Sequence, residues 1–149
     1  MRKFLFILIF TAPFMGFSQV QDPVKWTFSS KKVSVDVYEV HLTATMDRGW
    51  HTYSQATPDG GPAPTAIAFS KNPLLSLSGN VKEIGKLEEH HEPLFGVDVK
   101  QYSNKVDFVQ SVKVKSNAKT VIKGSVEYMV CDATKCLPPK TVEFSISIK

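Results

Sequence analysis

The two cysteines, Cys131 and Cys136, are the residues of this 149-residue chain with the most specific chemistry. They follow an alternating apolar stretch that ends at Val130, and they precede Pro138 and Pro139. A disulfide between them would close a six-residue loop, which contributes only about 2 kcal/mol to stability. Such a bond is a weak staple but reforms easily, because the sulfurs stay close after reduction. The spacing therefore leaves a structural role and a redox role equally open.

A metal site is the third alternative for the cysteine pair. Two thiolates four residues apart can share a metal ion, and His90 and His91 could add imidazole ligands. A second Cys or His pair of matching spacing is missing, and both histidines lie in an acidic stretch that includes Glu89 and Glu92. We therefore expect no metal and no other cofactor.

The first 18 residues predict export. Arg2 and Lys3 precede an apolar run, residues 4–10, and a small-residue segment, residues 16–18. This order is typical of a cleavable secretory signal peptide, and the apolar run is short for a membrane span. We expect cleavage after residue 18, a retained signal anchor being the alternative. An oxidising destination favours a disulfide between the only two cysteines.

The remaining residues, 19–149, are enough for one domain with one core. Without Arg2 and Lys3 the formal net charge falls from +4 to +2. The lysines are scattered rather than clustered, so nucleic-acid binding has no support. We expect a monomer.

Apolar residues recur at every second position along most of the chain, which is the period of half-buried strands. The apolar phase shifts once between Val37 and Val40, which predicts one long strand over 33–46 with a bulge near Tyr38 and Glu39. Three prolines and two glycines predict an exposed connection over 57–64. The stretch from Glu83 to Phe95 is charged and interrupted, and is predicted to be a loop. The further strands are predicted at 24–28, 50–54, 65–69, 74–79, 97–102, 106–114, 120–130 and 141–148.

Short strands at regular intervals, with turn residues between them and no helical segment, indicate an all-β fold. The expected architecture is a single-domain antiparallel β-sandwich.

The cysteine segment from Val126 to Pro139 resembles the motif of the amino-terminal periplasmic domain of the thiol:disulfide interchange protein DsbD, also called the disulfide bond corrector domain. Three earlier segments resemble the same family: Gly49–Ser54 with its Gly-Trp-His and Tyr, the Gly/Pro loop at Gly60–Thr65, and His91–Gly96 at the place of the family's cap loop. The most specific match is Cys136–Pro139.

The resemblance implies an immunoglobulin-like sandwich with a redox-active disulfide at one end. It implies a periplasmic thiol-disulfide oxidoreductase that takes electrons from thioredoxin-like redox proteins and passes them to oxidised periplasmic proteins. Because this sequence ends at Lys149 without a membrane domain, we expect a separate membrane thiol transporter to supply the electrons.

The resemblance also assigns roles to residues. Cys136 would form the mixed disulfide with partners, and Cys131 would resolve it. Leu94 and Phe95, followed by Gly96, would form an apolar cap over the pair. Tyr53 would line the floor of the site, although a plain core position is an equal alternative for this aromatic residue.

Neighbours in sequence are expected to support the pair. Lys135 favours the thiolate of the adjacent Cys136, whereas Asp132 disfavours that of Cys131. Pro138 and Pro139 complete the motif. The chain departs from well-known members of the family in having one residue fewer between the cysteines, Leu137 in place of an aromatic residue, and only one aromatic residue in the cap.

The competing hypothesis is a secreted binding or interaction module whose disulfide is purely structural. A reduction potential below about −300 mV would favour it, because resistant structural disulfides lie in that range.

Overall fold

The computed structural model describes residues 22–115 and 119–148. The predicted signal peptide, residues 1–18, therefore lies outside the described residues. The described part contains no α-helix, and no helix in it is long and apolar enough to cross a membrane. Its elements are the strands β1 (Val24–Lys32), β2 (Val37–Met46), β3 (His51–Tyr53), β4 (Ala66–Phe69), β5 (Leu75–Glu92), β6 (Val97–Val114), β7 (Thr120–Cys131) and β8 (Cys136–Ile148).

The eight strands form one curled antiparallel sheet that folds into two layers. β1, β2, β6 and β5 form one layer, and β4, β7 and β8 form the other. The short strand β3 pairs with both β6 and β7 and so joins the layers. This arrangement is an immunoglobulin-like antiparallel sandwich, as the alternation and the family resemblance predicted.

The core lies between the layers and follows from strand alternation. β2 buries every second side chain from Tyr38 to Met46. β7 and β8 also bury alternate side chains, β7 towards its end at Cys131 and β8 towards its end at Ile148. Trp26 of β1 contacts the rings of Phe108 and Tyr128, which are 6.0 and 5.2 Å from it between ring centroids. Aromatic contacts of this kind add to the free energy gained from burial. The two layers are thus held by a continuous apolar interior.

The predicted bulge near Tyr38 is wrong. β1 and β2 are separate strands of a hairpin, with Lys32 opposite Tyr38. The amide of Val33 donates to the carbonyl of Val37 across the connection, and Val35 is 70% exposed. The change of apolar phase therefore marks a turn between two strands, because residues in a turn need not keep the strand alternation.

The predicted loop from Glu83 to Phe95 is also wrong over most of its length. Residues up to Glu92 belong to β5, which among the described strands pairs with β6 alone and so lies at an edge of the described sheet. Most of its side chains are exposed, so the strand needs no apolar alternation. Its register shifts twice, between Ser78 and Lys82 and between Gly85 and Leu87.

Two other boundaries differ from the prediction. The predicted strands 97–102 and 106–114 are one strand, β6, which exchanges β3 for β2 as its partner around Asn104. Asn104 has a φ of 66°, a left-handed conformation that asparagine tolerates and that lets the strand bend. β8 starts at Cys136 instead of residue 141, and its register with β7 shifts opposite Pro138 and Pro139. A bulge accommodates proline, which has no amide to donate.

The predicted connection over 57–64 contains no strand. It is exposed for much of its length, although Thr57 and Pro62 are buried.

Candidate functional site

The cysteines lie where β7 and β8 meet. Cys131 is the last residue of β7 and Cys136 the first of β8, and they are direct partners in the strand register. They form a disulfide with a Cα–Cα distance of 4.0 Å. Cys131 is 0% exposed, whereas Cys136 is only partly buried. The two cysteines are thus unequal in exposure, with Cys131 fully buried and Cys136 partly open to solvent.

Asp132 shapes the turn between the cysteines. Its Oδ1 accepts hydrogen bonds from the amide and hydroxyl of Thr134, both at 2.8 Å, and from the amide of Lys135 at 2.9 Å. These bonds, led by the one from the Thr134 amide, hold the pKa of Asp132 below its usual range. The ammonium group of Lys135 lies 5.7 Å from the centre of the Trp50 ring. Asp132 therefore acts on the shape of the turn, and Lys135 reaches over a neighbouring aromatic ring.

Tyr53 forms the floor beneath the disulfide. β3 is placed between β6 and β7, and this position buries Tyr53 completely beside Cys131 and Val99. Val97, Met129 and Cys136 pack against this small cluster, which is separate from the main core.

A polar cluster lies at the same floor. The Tyr53 hydroxyl donates to Oε2 of Glu92 at 2.9 Å, and Nε2 of His51 is 3.4 Å from the same oxygen. Glu92 is buried, and one of its carboxylate oxygens, one ring nitrogen of His51 and Sγ of Cys131 all lie within 4.8 Å of one another. The cluster thus places an imidazole and a carboxylate next to the buried sulfur.

The surroundings of this cluster shift the pKa values of two of its members. Burial lowers the pKa of His51 below 6.5, and Glu92 only partly opposes the shift. Burial, reinforced by the hydrogen bond to Glu92, raises the pKa of Tyr53 well above 10.0. The tyrosine therefore stays a hydrogen-bond donor, and the uncharged imidazole predominates near neutral pH.

Glu83 fixes the segment that follows β3. Its carboxylate accepts hydrogen bonds from the hydroxyls of Ser54 and Tyr102, both at 2.7 Å, and from the amide of Gln55 at 2.7 Å. Burial alone would raise the pKa of Glu83, but these bonds outweigh it and hold the pKa below 4.5. Two carboxylates of β5, Glu83 and Glu92, therefore anchor opposite ends of the segment that carries the site floor.

The predicted cap is a tight turn that begins at Glu92. The amides of Phe95 and Gly96 donate to the Glu92 carbonyl at 3.1 and 2.8 Å. Gly96 has a φ of 69°, a conformation that favours glycine. Leu94 is 50% exposed and Phe95 37% exposed. The turn is thus joined through Glu92 to the site floor, while its two apolar side chains remain open to solvent.

The proline pair lies next to a groove that begins one residue after Cys136. Pro138 and Pro139 line this mostly apolar groove of about 300 Å³ together with Leu137, Val130, Tyr128, Asp22, Pro23 and Lys140. Neither cysteine lines the groove.

Comparison with known families gives the decisive observation. Residues 19–148 match the family described as "Thiol:disulfide interchange protein DsbD, N-terminal". The chain belongs to this family. No curated protein sequence matches it significantly.

Solved structures of DsbD N-terminal domains share the fold. The reduced N-terminal domain of DsbD from Neisseria meningitidis is 20% identical, with a TM-score of 0.53 over 82% of this chain and 84% of that one. A complex of the DsbD and PilB N-terminal domains from the same organism gives 17% identity, a TM-score of 0.52 and coverages of 85% and 87%. The N-terminal periplasmic domain of ScsB from Proteus mirabilis gives 19% identity and a TM-score of 0.52, over 84% of this chain and 44% of that one.

The structure places three of the residues that the resemblance to DsbD had singled out, Tyr53, Cys131 and Cys136, in one small cluster. Leu94 and Phe95 are exposed on the turn that follows β5. His90 and His91 are exposed on β5. The one group of three potential metal ligands within the described residues contains neither of them.

Two residues of the site were given no role from sequence, His51 and Glu92. A signal for His51 was available, because positions 51 and 53 of one strand place their side chains on the same face. Glu92 had no such signal, because its segment was taken for a loop.

Proposed function

We propose that this protein is a periplasmic thiol-disulfide exchange protein, active as an oxidoreductase, that relays reducing equivalents through Cys131 and Cys136. The observation that carries the proposal is the unequal exposure of the pair, with Cys131 buried and Cys136 partly exposed, in a member of the DsbD N-terminal family. An exchange site needs one sulfur that a partner can reach and a second that stays protected.

The chemistry follows from this inequality. In the reduced protein, the Cys136 thiolate attacks a disulfide of the acceptor and forms a mixed disulfide, while the first acceptor sulfur leaves as a thiolate. Cys131 then attacks the Cys136 sulfur, and the second acceptor thiolate is released. Two electrons and two protons pass to the acceptor, and the Cys131–Cys136 disulfide is restored. A reduced donor recharges the pair by the reverse steps.

The surrounding residues have proposed roles of their own. Leu94, Phe95 and Gly96 cap the pair and restrict access until a partner docks, and Tyr53 supports the pair from below.

The cysteine motif supplies the remaining proposed roles. Asp132 maintains the turn, Lys135 provides positive charge beside Cys136, and Pro138 and Pro139 border the docking face. Support comes from the hydrogen bonds of Asp132 and from the groove beside the prolines.

The proposed partners are thioredoxin-like redox proteins supplied by a separate membrane thiol transporter, with oxidised periplasmic proteins as acceptors. The solved complex between DsbD and PilB N-terminal domains supports a protein partner for domains of this family. The description of the ScsB domain as periplasmic supports the proposed compartment. In this proposal residues 1–18 are a signal peptide and residues 19–149 form one domain that acts as a monomer.

The test is to trap the mixed disulfide. A reduced Cys131→Ala variant, incubated with an oxidised thioredoxin-fold protein, should accumulate a covalent adduct through Cys136 that reductant dissolves. The matched control is Cys136→Ala, which leaves only the buried Cys131 and should give little adduct. The proposal fails if Cys131→Ala forms no adduct with any such protein, or if both variants react equally.

A purely structural disulfide is the second candidate. Cys131 is completely buried and lies directly opposite Cys136 in the strand register, and both features also suit a bond that only stabilises the fold. Redox titration separates the two functions. A potential below about −300 mV favours the staple, and a distinctly higher potential favours exchange.

A further inference from the structure

The floor of the site contains the donor atoms of a metal site. One ring nitrogen of His51, one carboxylate oxygen of Glu92 and Cys131 Sγ lie within 4.8 Å of one another, and Cys136 Sγ is bonded to Cys131 Sγ. Imidazole nitrogen, carboxylate oxygen and two thiolates are the ligand types that Zn²⁺ takes in tetrahedral sites. They come from β3, β5, β7 and β8, so the fold itself brings them together.

The spacing of the two harder donors already suits a tetrahedral ion. Zn–N and Zn–O bonds of about 2.0–2.2 Å place two tetrahedral ligands about 3.4 Å apart. His51 Nε2 and Glu92 Oε2 are separated by 3.4 Å. Cys131 Sγ lies within 4.8 Å of a ring nitrogen of His51 and a carboxylate oxygen of Glu92, so it needs a shift of about 1 Å toward the ion.

The oxidation state of the cysteines decides whether the site exists. In the disulfide, neither sulfur is a thiolate, and the thiolate is the form that binds metal. Reduction by a dithiol adds two electrons and two protons and gives two thiols. Binding of Zn²⁺ then releases the two thiol protons and leaves two thiolate ligands.

An outer hydrogen bond also fits a metal site. Protein metal ligands are usually oriented by partners behind them. The Tyr53 hydroxyl donates to Oε2 of Glu92 at 2.9 Å and is completely buried. It can keep this bond while the carboxylate binds an ion, because a carboxylate oxygen has more than one acceptor site.

We propose that the reduced protein binds one Zn²⁺ through His51, Glu92, Cys131 and Cys136, and that the oxidised protein does not. Hard cations such as Mg²⁺ and Ca²⁺ are disfavoured because half of the ligands are thiolates. Binding would occupy both sulfurs and withhold them from exchange. The site thus needs a dithiol that reduces the pair and itself becomes a disulfide, but zinc binding does not require exchange with an acceptor protein, so it can be tested separately from the proposed relay.

The first test measures zinc affinity under anaerobic conditions. Fully reduced protein, freed of small thiols, competes with a chromogenic chelator for Zn²⁺, and Co²⁺ is used as a spectroscopic substitute. We expect one ion per chain, a thiolate-to-Co²⁺ charge-transfer band and no binding by the oxidised protein. Equal binding by the oxidised protein, or no binding by the reduced protein, would overturn the proposal.

Variants test the ligand set. His51→Ala and Glu92→Gln should each weaken zinc binding by more than about 100-fold, since outer partners alone are worth about 10–100-fold. Tyr53→Phe should weaken it by about 10–100-fold. The matched control is His90→Ala, an exposed histidine on the same strand as Glu92, which should leave the affinity unchanged.

The outcomes distinguish this site from simpler ones. Unchanged affinity in both His51→Ala and Glu92→Gln would show that the thiolates alone hold the ion and would refute the four-ligand site. Weakening by His90→Ala would place the site elsewhere. Far-UV circular dichroism of each metal-free variant checks its fold, and Glu92→Gln preserves the side-chain shape if His51→Ala unfolds. A protein that fails to bind zinc can still form the mixed disulfide, and a protein that forms no mixed disulfide can still bind zinc. The two experiments therefore test the two proposals separately.

Discussion

The hydrogen bond between Tyr53 and Glu92 links the floor of the site to the cap turn, and Tyr53→Phe removes it without opening a large cavity. The substitution also removes a 3.1 Å contact between the Tyr53 hydroxyl and Nε2 of His51. The lost bond to Glu92 is charge-assisted and buried, and such bonds contribute about 1.5–3 kcal/mol. Glu92 would keep only longer contacts, with His51 Nε2 and with the Leu94 amide, both at 3.4 Å. We expect the free energy of unfolding of the oxidised protein to fall by about 2 kcal/mol. The melting temperature should fall by roughly 6–10 °C.

The assay is a double-mutant cycle by urea titration of the oxidised protein near neutral pH. In a Glu92→Gln background the same bond joins neutral groups, so Tyr53→Phe should cost only about 1 kcal/mol. The matched control is Tyr102→Phe, which removes a bond to Glu83. The Glu83 carboxylate keeps three other hydrogen bonds, one from Ser54 and two from Gln55, so the free energy of unfolding should fall by less than in Tyr53→Phe. A cost below about 0.5 kcal/mol for Tyr53→Phe, or the same cost in both backgrounds, would refute the reasoning.

Three further outcomes can be measured on the same protein. Reduction should lower the free energy of unfolding by about 2 kcal/mol. The free energy of unfolding of a Cys131→Ala/Cys136→Ala double variant should not change with reductant. A change in this variant would show that the effect of reductant does not come from the disulfide. Phe95→Ala should change stability by less than about 0.5 kcal/mol, because the ring is on the surface, yet speed reduction of the disulfide by a small thiol. An unchanged rate would argue against the cap. Folding lowers the pKa of Glu83. The carboxylate therefore contributes fully to the free energy of unfolding above about pH 4.5, and this contribution is lost as the pH falls through the pKa of the folded state. Wild type should therefore lose stability below pH 4.5 more steeply than Glu83→Gln, and equal acid titration curves would contradict this.

Strands that bury one face could be predicted from sequence. The alternation in β2, β7 and β8 follows directly from side chains that point in turn to the core and to solvent. The cysteine pair and Tyr53 were also found, the former by its spacing and the latter by family resemblance. Their proposed roles in exchange stay predictions.

Elements held by backbone pairing alone could not be predicted in this way. β5 is exposed along most of its length, so its sequence carries no period to recognise, and Glu92 was hidden within it. The role of Glu92 depends on contacts with residues about 40 positions away, His51 and Tyr53. Such contacts depend on how β3 and β5 pair with β6, and the alternation of residues within one strand gives no information about them.

The irregular register of β5 has a consequence for association between copies of the chain. An 18-residue edge strand with exposed Leu77, Ile84 and Leu87 offers unpaired backbone groups beside apolar side chains, which favours edge-to-edge aggregation. The two register shifts interrupt its straight run, and exposed charged residues at and between them, Lys82 and Lys86, make a second edge strand a poor neighbour. We therefore expect the irregularities of β5 to disfavour fibre-like self-association, and a variant with a regular register to aggregate more readily.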